Sequence, residues 1–96
     1  MDLIELQRIY ALRNLKVDGR KDVKALMIHL RSEVNELKEA ITVGKLVPIS
    51  YELADVIIQI VILANKLGID IDKAVTAKTT INIKRYHLKF KEVKQQ

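Results

Sequence analysis

Two pairs of carboxylates carry the clearest chemistry in this sequence. Glu33-Val34-Asn35-Glu36 and Glu52-Leu53-Ala54-Asp55 each set two acids three residues apart. That spacing puts both side chains on one face of a helix. On two helices joined by a short loop, the pairs could bring four carboxylates to one point, where they would repel one another. A hard divalent cation that takes oxygen ligands relieves that repulsion, and Mg²⁺ or Mn²⁺ fits best. The plainer alternative is a solvated acidic face, since Glu-x-x-Glu is common on helices. Glu52/Asp55 is the sharper signal because its helix is otherwise apolar, and charged groups are rarely buried without a partner or a metal.

A second constellation lies near the C-terminal end. Lys78, Asn82 and Arg85 are spaced i, i+4, i+7 and share a helix face, with Tyr86 beside it. Polyphosphate needs cations on one side and fixed donors on the other, so this strip complements a carboxylate-held metal. Metal ions so held polarise a phosphoryl oxygen and activate water, and a free carboxylate can take the proton. The reaction class this suggests is hydrolysis of a phosphoanhydride. His29 lies one turn before Glu33 and reads as a hydrogen-bonded residue rather than a ligand. Tyr10, Tyr51 and Tyr86 read as core-edge residues. The three glycines are not clustered into a phosphate loop. No Glu-x-x-His pair occurs, against a di-iron carboxylate bundle.

The elements that must position these groups are helices. Apolar residues recur at helical spacing over 3–15 (Leu3, Leu6, Ile9, Tyr10, Leu12), and Gly19 is the expected stop. A second helix is predicted over 21–43, with Asp22 near its start and Gly44 at its end. The loop 44–48 contains the only proline, and Ser50 is a candidate cap for a third helix over 51–67. That third helix is apolar nearly all round apart from Glu52, Asp55 and Gln59, so it must be covered on most sides, by a second subunit among others. Gly68 closes it. Asp70 is the expected cap of a fourth helix over 71–94, with Ile71, Ala74, Val75, Ile81, Tyr86, Leu88 and Phe90 as burial candidates. No stretch alternates as a strand would. The expectation is an all-α, four-helix antiparallel bundle, with residues 1–96 as a single domain.

Composition agrees with a small helical domain. The chain has 96 residues, 49% of them apolar and only four aromatic, so aliphatic side chains build the core. A domain of this size buries a modest share of its surface, and oligomerisation is a common remedy. There is no cysteine, which suits a reducing, cytoplasmic setting. Residues 1–15 interleave Asp2, Glu5, Arg8 and Arg13 with apolar positions, unlike a signal peptide. The apolar run Val56 to Ala64 is shorter than a membrane span, so no membrane partner is expected. Residues 73–96 hold seven Lys/Arg against one acid, whereas residues 1–72 hold ten against eleven. This basic end gives the competing reading: a non-catalytic nucleotide- or nucleic-acid-binding module using Lys84, Arg85, Lys89, Lys91 and Lys94. Such a module has no need of two acidic pairs on adjacent helices, which makes nucleic acid the weaker choice of partner.

The order of motifs resembles that of the all-α nucleoside triphosphate pyrophosphohydrolases of the MazG superfamily. His29 to Leu37 looks like the helix of the first acidic pair and Glu52 to Ile58 like that of the second. Leu63 to Asp70 looks like the following helix end and turn, and Lys78 to Tyr86 like the Lys…Asn…Arg-Tyr segment of the small MazG-like and dCTP-pyrophosphatase-like members. The likeness covers about residues 25–86. It implies cleavage of a (d)NTP between the α and β phosphates, giving a monophosphate and pyrophosphate, in nucleotide-pool housecleaning. It implies Mg²⁺, with Mn²⁺ as a substitute, held by Glu33, Glu36, Glu52 and Asp55 as catalytic residues. Lys78, Asn82, Arg85 and Tyr86 would contact substrate, and the assembly would be a homodimer or homotetramer. Asn35 stands where the family often has Gly, Gln59 where a Tyr is frequent and His87 where a Pro is common; there is no Trp. Base and sugar preference therefore stay open.

Overall fold

In the computed structural model, the protein's described backbone comprises residues 1–13 and 22–95, and its described side chains comprise residues 1–12 and 22–86. The elements are α1 (Leu3–Arg13), α2 (Val23–Val43), α3 (Leu46–Leu67) and α4 (Ile71–Gln95), with no strand among the described residues. The expected ends of the first loop, including Gly19, lie outside the described residues, as do the side chains of Leu88 and Phe90.

Local chemistry sets the helix ends. Asp22 is the N-cap of α2, its Oδ1 accepting from the Ala25 N–H at 2.7 Å. Gly44 ends α2 with φ 84°, in the left-handed region that favours glycine, and its N–H donates to Ala40. Gly68 ends α3 in the same way at φ 70°, followed by a bond from the Ile69 N–H to the Ala64 carbonyl at 2.9 Å. Asp70 caps α4 as expected, its Oδ1 accepting from the Lys73 N–H. The start of α3 differs from the sequence reading. The helix begins at Leu46, so Pro48 and Ser50 are helical rather than loop and cap. The first-turn N–H groups of a helix have no intrahelical acceptor, so a proline there loses nothing. Ser50 bonds back to the Val47 carbonyl instead of capping.

The two-residue link Gly44-Lys45 folds α3 back along α2, and this hairpin is the main packing seam; α1 packs on α3 and α4 on α1. The core is small: Leu26, Val61, Ile62 and Ala64 are the buried apolar residues among those described. Several expected core positions are open. Leu53, Ile57 and Ile60 form an exposed stripe on α3, and on α4 Val75, Ile81 and Tyr86 are 45%, 56% and 43% exposed. The radius of gyration, 16.7 Å, exceeds the roughly 13 Å of a compact 100-residue domain. By length and composition α3 would also qualify as a membrane span, being longer than its most apolar run. Glu52 and Asp55 lie inside it, where a bilayer would impose a cost of about 2.5–3.5 kcal/mol for each charge at its centre.

Gly44 tests the hairpin turn. A Cβ there would meet nothing within 4 Å, so Gly44→Ala changes backbone strain alone. The expected loss is roughly 1–2 kcal/mol, from forcing an L-residue into the left-handed region. Asp22→Ala, which removes a cap, should cost about 1 kcal/mol. Thermal unfolding at fixed protein concentration measures both; a Gly44→Ala protein as stable as wild type would contradict the turn geometry.

Candidate metal centre

The hairpin brings together three of the four carboxylates that the sequence spacing singles out. Glu33 and Glu36 on α2 and Glu52 on α3 each offer a carboxylate oxygen, and all three lie within 4.8 Å of one another. Asp55 stands one turn along α3 from Glu52, close enough that its charge acts on both Glu33 and Glu52. Glu39 is exposed and lies outside this trio.

The electrostatics are those of crowded anions. The Glu33 carboxyl is pushed above its ordinary range by burial first, then by the charges of Glu36 and Asp55, with His29 pulling weakly the other way. Glu52 is raised likewise, by partial desolvation first and then by Glu36, Asp55 and Glu33. His29 Nε2 sits 3.4 Å from Glu33 Oε1, one turn away on the same helix. It is a neighbour of the cluster rather than part of it, as the sequence suggested. Glu33 Oε2 and Glu52 Oε2 are both shielded from solvent and without a hydrogen-bond partner.

Unpartnered, shielded oxygens on adjacent carboxylates are costly unless a cation or donor meets them. The donor set is all oxygen and anionic, which suits Mg²⁺ or Mn²⁺ over softer metals. These residues therefore fit a hard divalent ion. Gln59 continues the polar strip of Glu52 and Asp55 along α3. Its Oε1 is also shielded and unpartnered, one turn beyond Asp55.

The remaining residues named from the sequence lie on α4. Asn82 is half-buried, Lys78 and Arg85 are exposed, and Tyr86 is partly exposed. Within one chain α4 forms its seam with α1 and none of comparable extent with the α2–α3 hairpin. Among the described residues, a single copy does not bring the cationic strip and the carboxylates into one packed unit.

The family model for the MazG nucleotide pyrophosphohydrolase domain matches residues 21–93, which include both acidic pairs and the strip on α4. The chain belongs to this family. No curated protein and no solved structure matches it. MazG membership agrees with the all-helical fold, and the matched segment contains the acidic hairpin.

The raised carboxyls give a sign for pH dependence. Glu33 and Glu52 hold protons more tightly folded than unfolded. In the metal-free protein, stability should therefore fall as pH rises above the ordinary glutamate range, until both ionise in the folded state too. Added Mn²⁺ or Mg²⁺ should raise the melting temperature, and more so at the higher pH. Glu52→Gln should flatten the pH dependence and abolish the metal-induced rise. Melting curves at several pH values, with and without metal, check both; a metal-induced rise that survives Glu52→Gln would remove Glu52 from the centre.

Proposed function

We propose that this MazG protein is a Mg²⁺-dependent nucleoside triphosphate pyrophosphohydrolase. It would cleave a (d)NTP between the α and β phosphates to a nucleoside monophosphate and pyrophosphate, in nucleotide-pool housecleaning. The observation that carries this reading is the convergence of Glu33, Glu36 and Glu52, with two shielded and unpartnered oxygens, inside the family-matched segment. Glu33, Glu36, Glu52 and Asp55 would hold Mg²⁺, or Mn²⁺ in its place. The ion, when bound, supplies charge neutralisation at the phosphates and acidifies water. Lys78, Asn82, Arg85 and Tyr86 would bind and orient the phosphates and sugar. A water oxygen attacks one phosphorus flanking the α–β bridging oxygen, that P–O bond breaks, and a carboxylate of the cluster accepts the water proton.

The exposed aliphatic stripe of α3 and the open face of α4 support a homodimer or homotetramer, in which a second copy covers these surfaces. Two carboxylates inside α3 and the absence of cysteine support a cytoplasmic rather than membrane setting. Binding of nucleic acid through the basic end of α4 is the second reading. It is the weaker one, because it leaves the carboxylate cluster without a use.

Pyrophosphate release should be seen from at least one member of a panel of normal and modified (d)NTPs with Mg²⁺. It should fall roughly 100-fold or more in Glu36→Gln or Asp55→Asn, the scale of losing one preorganised electrostatic contact. No turnover across the panel, together with salt-sensitive duplex binding, would favour the second reading. Native mass should exceed that of one chain, and Ile57→Glu should shift it toward the monomer; a wild-type protein monomeric at assay concentration would refute the assembly.

A further inference from the structure

The first helix lies before the family-matched residues, yet it makes the most concentrated set of side-chain hydrogen bonds between distant parts of the described chain. Gln7 is at the centre. Its Nε2 donates to Asn65 Oδ1 and to the Ile69 carbonyl, both at 3.0 Å. Its Oε1 accepts from the Ile71 N–H at 2.9 Å. The Asn65 Nδ2 returns a bond to the Gln7 carbonyl at 3.0 Å. These partners lie on the last turn of α3, on the turn itself and on the first residue of α4. One side chain thus ties down all three parts of the elbow between α3 and α4.

The elbow needs such a tie. The first N–H groups of a helix have no partner within it. Asp70 serves Lys73, and Gln7 serves Ile71 from another helix. Beyond the elbow, among the described residues, α4 has its main seam with α1. A helix of 25 residues is about 37 Å long, so a small change of angle at the elbow displaces its far half by several ångströms. Lys78, Asn82 and Arg85 ride on that lever.

We propose that Gln7 is a positioning residue for substrate binding: by clasping the α3–α4 elbow it fixes the direction in which α4 carries the Lys78, Asn82 and Arg85 strip. The inference rests on the proposed role of that strip. Gln7 itself touches neither substrate nor the carboxylates. The clasp is separate from the metal centre, which sits along the α2–α3 hairpin, so its loss should weaken nucleotide binding and leave metal binding intact.

The test uses the full chain with Gln7→Leu, which keeps side-chain bulk and removes the three bonds made by the Gln7 side chain, and Gln7→Glu, which keeps of these only the acceptor for Ile71. Because the chain has no cysteine, Lys38→Cys and Lys84→Cys place two spin labels uniquely, on α2 and α4. Dilution with unlabelled chain isolates the distance within one copy. The expected result is a distance distribution that broadens or shifts in Gln7→Leu and does so less in Gln7→Glu. With it, the nucleotide KM should rise on the order of tenfold, with a smaller change in kcat and Mn²⁺ affinity within about twofold of wild type. An unchanged distribution and KM in a folded Gln7→Leu protein would overturn the proposal, as would a loss confined to Mn²⁺ binding. Should Gln7→Leu lose its helical content, Gln7→Glu decides by the same two readings. Should the wild type neither bind nor turn over nucleotide, the strip's assignment fails, and the label distances alone decide whether Gln7 sets the elbow.

Discussion

Repulsion among carboxylates held in one helical seam is the constraint on which the rest of this protein depends. Glu33, Glu36 and Glu52 are brought within 4.8 Å by a hairpin whose turn is two residues long. Folding alone gives no reason to place them there. Burial and mutual charge raise two of the carboxyls, and two oxygens are left shielded without a donor. A protein of this size has a small stability margin and a core of few buried residues. Protonation of the raised carboxyls relieves part of that repulsion. A divalent cation held there, as proposed above, would turn the same arrangement from a cost into binding energy, because metal binding to the folded state is folding free energy.

The seam also explains why α2 and α3 are the ordered heart of the fold. Their facing residues alternate in function along the axis. The carboxylates sit toward the turn side, and Leu26, Val61, Ile62 and Ala64 close the other end as the buried apolar layer. Antiparallel register, carried along the hairpin in whole turns from Glu36 and Glu52, predicts His29 level with Gln59 and Leu26 level with Ile62. The polar part thus grades into the apolar plug through a His/Gln level. The shielded, unpartnered carbonyl of Gln59 belongs to that transition, and a substrate donor or an ordered water is the natural partner for it.

Much of this was legible in the residues themselves. The all-helical class, the caps at Asp22 and Asp70, the stops at Gly44 and Gly68, and the pairing of the two acidic motifs follow from spacing and side-chain chemistry. What was missed has physical reasons. Pro48 looks like a breaker, but in a first turn it has no bond to lose, so α3 starts earlier than its apolar pattern suggests. Ile9 and Leu12 fit a helical stripe on paper and are exposed, while the inner face of α1 runs through Leu3, Leu6, Gln7 and Tyr10. A glutamine at the centre of an inner face carries no hydrophobic signal. Its importance appears only when the turn between α3 and α4 is seen against it. The burial expected along α4 is not met at Val75, Ile81 and Tyr86 within one chain, where α4 packs on α1.

The open state of α4 is where the two halves of the proposed chemistry meet. The acidic hairpin and the cationic strip lie on separately anchored parts of the same chain: the first is held by its own seam, the second by α1 through the Gln7 elbow. Joining them around one triphosphate requires that α4, from the same chain or another copy, be presented at a defined angle. Aliphatic side chains left exposed on α3 and α4 give the hydrophobic drive for that closure, and net positive charge along α4 gives its attraction to the acidic seam. Neither force is directional. Hydrogen bonds are, and the Gln7 side chain makes three of them at the elbow. Direction therefore comes from a polar clasp and affinity from apolar area, and that division of labour lets so small a chain combine an open surface with a defined site.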